Sequence, residues 1–447
     1  MTNQIIIVGG VGGGATAAAQ IRRVDKESEI ILFDKGNYVA FSNCGMPYYI
    51  GGTVDERDDL LVDNHEFAKK YDINLKTDSE VVSINREQKQ IEYKNNGAIQ
   101  HETYNKLVLS PGASAIEPNL KGLNPKQTFT LHTIPDMDDI YAFINEHKPR
   151  TCAIIGAGFV GLEMVENLKS LDIECTVVDR SKQVMKLVDE DMATIIQDHL
   201  KAKGVNLILE DGLDSFTNNG STLHLNSGKS IQADMTILAV GIKPNTKIAE
   251  DSSLDIGETG AIKVNEYMQT NDPDIYALGD VVETQDYLTD TPRHVALAWP
   301  AHRQAFIIAN HLQDNDLAYK GTQGSAIFKV FDLSVAVSGY SSHALNKLAI
   351  PFKEVTHESL SHAGYYPGAE KISMKILFEE NNGQILGAQV IGEDGVHKRL
   401  AVIATAMKGK ISVEDLAELE LGYAPPYSSP KDPINIIGYK AGSMMDK

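Results

Sequence analysis

The first apolar run of the chain, Ile5-Ile6-Ile7-Val8, contains no polar position. A strand without in–out alternation is covered on both faces, as the strands of parallel sheets are. Gly9, Gly10, Gly12, Gly13 and Gly14 follow, and then Ala15 to Arg23, which reads as a helix. The next apolar run, Ile30-Ile31-Leu32-Phe33, ends at Asp34. The same pattern returns later. Ala153-Ile154-Ile155 leads into Gly156-Ala157-Gly158-Phe159-Val160-Gly161, a helix from Leu162 to Leu171, and a strand Cys175-Thr176-Val177-Val178 ending at Asp179. Each copy has a further strand: Leu107-Val108-Leu109-Ser110 before Pro111-Gly112, and Thr236 to Val240 before Gly241. Residues 79–104 alternate as short strands with a turn at Asn95-Asn96-Gly97, and 205–233 look alike. Each reads as a β-meander inserted before the last strand of its unit.

Farther on, Ile275-Tyr276-Ala277-Leu278 reads as a buried strand ending in Gly279-Asp280, with a helix near 296–312. After about residue 324 the pattern changes. Strands at 326–330, 334–338, 373–378 and 386–390, then helices near 395–408 and 412–418, predict a separate α+β domain without a glycine-turn signature.

The chemistry of the repeat lies in its turns. A glycine turn between strand and helix brings backbone N–H groups and the helix N-terminus against a pyrophosphate. An acid about 20 residues on, here Asp34 or Asp179, takes the ribose hydroxyls. The second copy is complete. In the first, the frame Gly9-x-Val11-x-x-Gly14 lacks the middle glycine, whereas the shifted frame Gly10-x-Gly12-x-x-Ala15 fits the pattern. Two such turns in one chain point to two nucleotides, one held permanently and one exchanged. Asp280 is placed where a strand end meets a bound ligand; by itself it also suits a helix cap.

Composition narrows the partners. A formal net charge of −20 argues against nucleic acid and against an anionic membrane surface. No apolar run is long enough to span a bilayer, and no signal peptide is visible before the first strand. The 3 cysteines make no disulfide framework, so a reducing cytoplasm is the expected setting.

One of the three stands apart. Ser42-Asn43-Cys44-Gly45-Met46-Pro47 puts Cys44 just before a proline suited to the first turn of a helix. Unpaired N–H groups at such an end favour a thiolate, with pKa values of roughly 3.5–7.5 in such settings. The alternative is a buried structural cysteine. Cys152 and Cys175 fall on strands and read as packing residues.

Together, the first glycine turn, Leu109-Ser110-Pro111-Gly112-Ala113, the second turn with Gly161-Leu162-Glu163, and Tyr276-Ala277-Leu278-Gly279-Asp280 resemble the FAD- and NAD(P)H-binding disulfide reductases. Ser42-Asn43-Cys44-Gly45-Met46-Pro47-Tyr48 resembles the single-cysteine branch of that family. This branch contains coenzyme A-disulfide reductases, NADH oxidases, NADH peroxidases and persulfide reductases. The stretch Tyr423-Ala424-Pro425-Pro426-Tyr427-Ser428-Ser429-Pro430-Lys431-Asp432-Pro433 resembles it too.

The resemblance implies an α/β glutathione reductase-like fold. Two Rossmann-like dinucleotide-binding domains, for FAD (1–118 and 247–323) and for NAD(P) (119–246), precede an α+β dimerisation domain (324–447). It implies FAD contacts at Gly9, Gly10, Gly12, Gly14, Asp34, Lys35, Asn43, Pro111, Gly112, Gly279 and Asp280. Nicotinamide nucleotide contacts fall at Gly156, Gly158, Gly161, Glu163, Asp179 and Gly241. Asp179 opposes a 2′-phosphate and favours NADH over NADPH, although Arg180 and Lys182 follow it.

The implied reaction is reduction of coenzyme A disulfide, or a related small disulfide or persulfide, through Cys44. Gln20, Arg22, Arg23, Ser42 and Asn43 would meet the substrate, with Arg suited to phosphate. Tyr365 and Tyr423 would reach the cysteine of a partner subunit in a homodimer. An NADH oxidase cycling through a Cys44 sulfenic acid is a second reading. The histidine that resemblance to oxidases and peroxidases calls for is Gly12 here. A flavin-bearing redox sensor is a third. The branch's reductases carry Ser-Phe before the cysteine turn where this chain has Ala40-Phe41, which leaves coenzyme A itself open as substrate. No metal site is expected.

Overall fold

The computed structural model describes residues 3–445. They form two compact units. The first runs to Ile116 and includes His132–Asp138 and Ile242–Thr322. The second comprises Glu117–Leu131, Asp139–Gly241 and the chain from Gln323 onward.

The first unit is built on a parallel sheet in the order Ile275–Ala277, Lys106–Leu109, Gln4–Val8, Glu29–Phe33, Asn74–Lys76. Its central strand explains the unbroken apolar run. Ile5 and Ile7 pack with Ala15, Ala18 and Ile21 of the helix Gly13–Val24 and with Ile307 and Ile308 of the helix Ala298–His311. Ile6 and Val8 point the other way, into a second core with Ile84, Tyr93 and Tyr104. Both faces are thus covered, as a parallel sheet requires. The antiparallel sheet Ser79–Asn85, Gln90–Asn95, Ala98–Thr103 is the expected meander.

The second unit repeats the plan. Its parallel sheet runs Asn206–Ile208, Glu174–Val178, Thr151–Ile155, Met235–Leu238, Thr128–Phe129. The meander is Leu213–Thr217, Thr222–Leu225, Ser230–Gln232. Asn206–Ile208, expected in that meander, instead extends the parallel sheet beside Thr176–Val178.

The unit's C-terminal part is an antiparallel sheet of Ala326–Val330, Leu333–Gly339, Ile385–Gly392, Lys371–Phe378 and Lys353–Leu360. The strand Lys353–Leu360 is not expected from its sequence. It alternates half-buried and exposed along its length and is held as an edge by pairing with Lys371–Phe378. The helices Val396–Lys408 and Val413–Glu418 match expectation. The helix Pro433–Gly442 adds to them. It starts where Asp432 accepts the Ile434 N–H and Pro433 takes the first position.

Candidate active site

The two glycine turns match at their outer glycines. Gly9 and Gly156 both have positive φ, 96° and 111°. A Cβ would meet Ser110 O at 2.0 Å in the first and Ala239 O at 2.2 Å in the second. At Gly14 and Gly161 a Cβ would lie 1.8 and 2.1 Å from the carbonyl oxygens of Gly9 and Gly156. Close packing of helix on strand therefore demands glycine at all four positions. This correspondence corrects the shifted frame read from the sequence. Gly9 and Gly14 are the outer glycines, and Val11 stands where the second turn has Gly158. Gly12, at φ 55°, leaves open space where a Cβ would be, as do Gly112 and Gly158. These three glycines answer to no packing need within the described residues. They leave room for a dinucleotide's backbone, so the chain fits such a group at both turns.

The acids end the matching strands in matching ways. Asp34 accepts the N–H groups of Gly10 (2.6 Å) and Gly36 (2.7 Å). Asp179 accepts those of Ala157 and Ser181, both at 2.8 Å. Each carboxylate ties a glycine turn to the loop after its strand and keeps lone pairs for a further donor. Burial raises the Asp34 carboxyl above its ordinary 3.8, against the pull of the two N–H groups. Lys35 beside it is exposed.

The Cys44 turn is fastened to the first glycine turn. Ala40, at φ 54°, donates its N–H to Gly10 O at 2.9 Å. Val39 packs where a Cβ on Gly10 would be, 2.6 Å from its Cγ1. Ser42 N–H donates to Leu60 O, and Gly45 N–H to Ser42 O. Asn43–Gly45 form a single 3₁₀ turn, followed by a helix of 5 residues, Met46–Ile50. That helix opens at Met46 with Pro47 second, and its shortness limits the dipole expected at the thiol. Ser42, Asn43 and Cys44 are all exposed, and Cys44 Sγ lies 3.9 Å from Asn43 Oδ1. Below the turn, Arg57 makes a two-pronged bond to Asp138 (2.7 and 2.8 Å) and reaches the Tyr38 hydroxyl.

Pro111 and Gly112 are held by Asn245, whose side chain donates to Pro111 O and whose N–H donates to Gly112 O. Gly279 N–H donates to Gln304 Oε1, and His294 Nε2 donates to Asp280 O. Burial raises the Asp280 carboxyl, with His294 and His132 opposing.

In the second unit Glu163 lies one helical turn from Glu166. Burial first, and the Glu166 charge second, push it up to about 7. Gly241 follows the strand Met235–Leu238 at φ 114°. Cys152 and Cys175 are buried neighbours on paired strands, and burial raises both thiols. Tyr365 and Tyr423 meet through their hydroxyls at 3.2 Å and are exposed. Arg399, 1% exposed, braces the segments that carry them through Ser361 O and Tyr427 O.

One member of the basic trio is corrected. Arg22 is buried, and its guanidinium donates to the carbonyls of Tyr71, Asp25, Ser28 and Asp72. It closes the helix end and has no fork left for a phosphate. Gln20 and Arg23 remain on the accessible face. Thr16 joins them at helical spacing, and His302 Nδ1 lies 3.4 Å from its Oγ1. Neither Thr16 nor His302 stands out in the sequence. The i, i+4, i+7 spacing of Thr16, Gln20 and Arg23 is the available signal, whereas His302 comes from a distant helix.

Comparison with known proteins bears on this arrangement. Residues 3–305 match the family model for pyridine nucleotide-disulphide oxidoreductase, and 325–432 match that family's dimerisation domain. The chain belongs to the pyridine nucleotide-disulphide oxidoreductases. As a member of that family it is an oxidoreductase, and it carries the family's dimerisation domain. It is similar to coenzyme A disulfide reductase of Staphylococcus haemolyticus (strain JCSC1435), 40% identical over 442 residues, 98% of this chain and 99% of that one. Among solved structures it resembles reduced Bacillus anthracis CoADR-RHD, with TM-score 0.97 and 46% identity, covering 99% of this chain and 81% of that one. It also resembles an NAD-dependent persulfide reductase from A. fulgidus, with TM-score 0.96 and 34% identity, covering 98% and 83%. No helix among the described residues is long and apolar enough to cross a membrane.

Proposed function

We propose that this oxidoreductase reduces coenzyme A disulfide, or a closely related small disulfide, with NADH as donor and FAD as relay. The observation that carries the reading is Cys44. It is exposed, is the sole cysteine of its unit, and lies four residues after Ala40, whose N–H donates to Gly10 O of the first glycine turn. The coenzyme A disulfide reductase relatives support the substrate.

FAD belongs at the first turn, with Gly9, Gly10, Gly12, Gly14, Asp34, Lys35, Asn43, Pro111, Gly112, Gly279 and Asp280 around it. The nicotinamide nucleotide belongs at Gly156, Gly158, Gly161, Glu163, Asp179 and Gly241. When bound, FAD would supply the relay that takes one hydride from nicotinamide and passes its two electrons to sulfur. Asp179 sets NADH over NADPH, and Lys182 is drawn away to an ion pair with Glu190.

The Cys44 thiolate attacks one sulfur of the substrate disulfide. The S–S bond breaks, one thiolate leaves, and a mixed disulfide forms on Cys44. Two electrons then break that bond, release the second product as its thiolate and restore the Cys44 thiolate. Tyr365 and Tyr423, brought by a second copy of the chain, protonate the departing thiolate. Their mutual hydrogen bond raises the proton affinity of Tyr423. Thr16, Gln20, Arg23 and His302, with Ser42 and Asn43, form the polar face for the phosphates of the substrate. The division into FAD (1–118, 247–323), nicotinamide (119–246) and dimerisation (324–447) domains follows from these roles. The setting is the cytoplasm, where the thiols stay reduced.

A persulfide substrate is the second reading. Ala40, lacking a hydroxyl, and the A. fulgidus neighbour favour it. An oxidase is disfavoured because Gly12 offers no proton-handling side chain. Anaerobic NADH oxidation with coenzyme A disulfide decides between them. Thiol release with a coenzyme A adduct on Cys44 establishes the reaction. No turnover and an adduct-free Cys44 overturn it.

A further inference from the structure

The repeat extends beyond the glycine turns into the loops that follow the acids. In the first unit Ala40 N–H donates to Gly10 O; in the second, Met185 N–H donates to Ala157 O at 2.8 Å. Ala40 and Met185 both have positive φ, 54° and 47°. The same spacing separates Asp34 from Cys44 and Asp179 from Asp189, so Asp189 stands in the second unit where Cys44 stands in the first. The two residues meet opposite surroundings. Cys44 is exposed, whereas the Asp189 side chain is 4% exposed.

Asp189 is gripped by two strands of the C-terminal sheet and by the start of the helix Ser342–Lys347. One carboxylate oxygen accepts Ser342 N–H (2.8 Å) and Ser342 Oγ–H (2.7 Å). The other accepts Gln389 Nε2 (2.9 Å) and pairs with Lys375 Nζ (3.1 Å). Gln389 Oε1 in turn accepts the Asp189 N–H. Lys375, also 4% exposed, touches Asp191 and Glu354, each at 3.2 Å. The loop between Asp179 and Asp189 is therefore pinned at both ends. Asp179 and Met185 hold it to the second glycine turn, and Asp189 holds it to Lys375, Gln389 and Ser342.

We propose that Lys375, with Gln389 and Ser342, is a positioning residue for the nicotinamide nucleotide, holding through Asp189 the loop that borders its adenosine ribose. This rests on the reading that the second turn takes that nucleotide. It makes affinity for the donor depend on the dimerisation segment, in which all three residues lie. A loop held in its competent state only a tenth of the time weakens apparent affinity about tenfold.

The test compares FAD-loaded wild type, K375M, K375R and S342A. The readings are direct NADH binding and separate KM values for NADH and coenzyme A disulfide. K375M raises the NADH KM about tenfold, with kcat at saturating NADH and the disulfide KM unchanged, and K375R restores it. S342A moves the NADH KM in the same direction by less. The neutral pair K375M/D189N shows the same loss without stranding a buried carboxylate. An unmoved NADH KM in a folded variant overturns the positioning role, and so do equal rises in both KM values. A wild type that binds no nicotinamide nucleotide overturns the underlying reading and the positioning role with it.

Discussion

Glu163→Gln makes the sharpest prediction, because the wild-type side chain is held against its own stability. Its folded carboxyl titrates at about 7 instead of the ordinary 4.5, through burial first and the Glu166 charge second. A raised folded value means that the native state keeps a proton which the unfolded chain releases. Stability therefore falls as pH rises from about 4.5 to about 7 and is level above that. At about 1.4 kcal/mol per pH unit, the full penalty is about 3 kcal/mol at pH 8 and little at pH 4.5. The substituted amide carries no charge to desolvate. The variant is expected to unfold at higher denaturant concentration than wild type at about pH 8, by up to about 3 kcal/mol, and near wild type at about pH 4.5. Urea titrations of both FAD-loaded proteins at the two pH values measure it. A stability difference that does not change with pH refutes the reasoning. NADH turnover in the same variant is expected to fall, which gives the reason for keeping a costly acid there.

Cys44→Ser is expected to abolish disulfide reduction while the flavin absorbance of the purified protein stays unchanged; full activity would end the single-cysteine mechanism. Gly161→Ala, whose Cβ would lie 2.1 Å from Gly156 O, is expected to lose NADH binding and keep FAD. Gly14→Ala, at 1.8 Å from Gly9 O, is expected to do the reverse, and equal losses of both nucleotides in either variant count against two separate turns. Arg399→Met takes the guanidinium away from Asp432, which is 2% exposed but keeps Lys398, Ser428 and the Ile434 N–H, and is expected to cost about 1.5–3 kcal/mol in denaturant unfolding. Burial pushes the Asp432 carboxyl up, but Ile434 N–H, Ser428 and Arg399 more than offset it and hold it below 3.8. The stabilisation is thus present above that pH and lost as pH falls below it, so the variant and wild type should converge in acid. Sedimentation of the FAD-loaded protein is expected to show a dimer, and a monomer would remove Tyr365 and Tyr423 from the chemistry.

Much of this protein is readable in its sequence because its information is local. An apolar run of four, a glycine turn and an acid at a strand end report on residues that are neighbours in the chain. That is why both dinucleotide turns, both meanders and most of the C-terminal strands are legible, and why Cys44 can be separated from Cys152 and Cys175. Tertiary structure decided the points where partners are distant. Which glycines are the outer pair of the first turn depends on Ser110 O and Gly9 O pressing against Gly9 and Gly14. Arg22 looks like a phosphate ligand until the carbonyls of Tyr71 and Asp72 claim its guanidinium. Lys353–Leu360 has no apolar run and becomes a strand only by pairing with Lys371–Phe378. Asp189 and Lys375 carry no signal in the sequence because a buried ion pair is defined by loss of water, which only the folded arrangement of distant segments imposes.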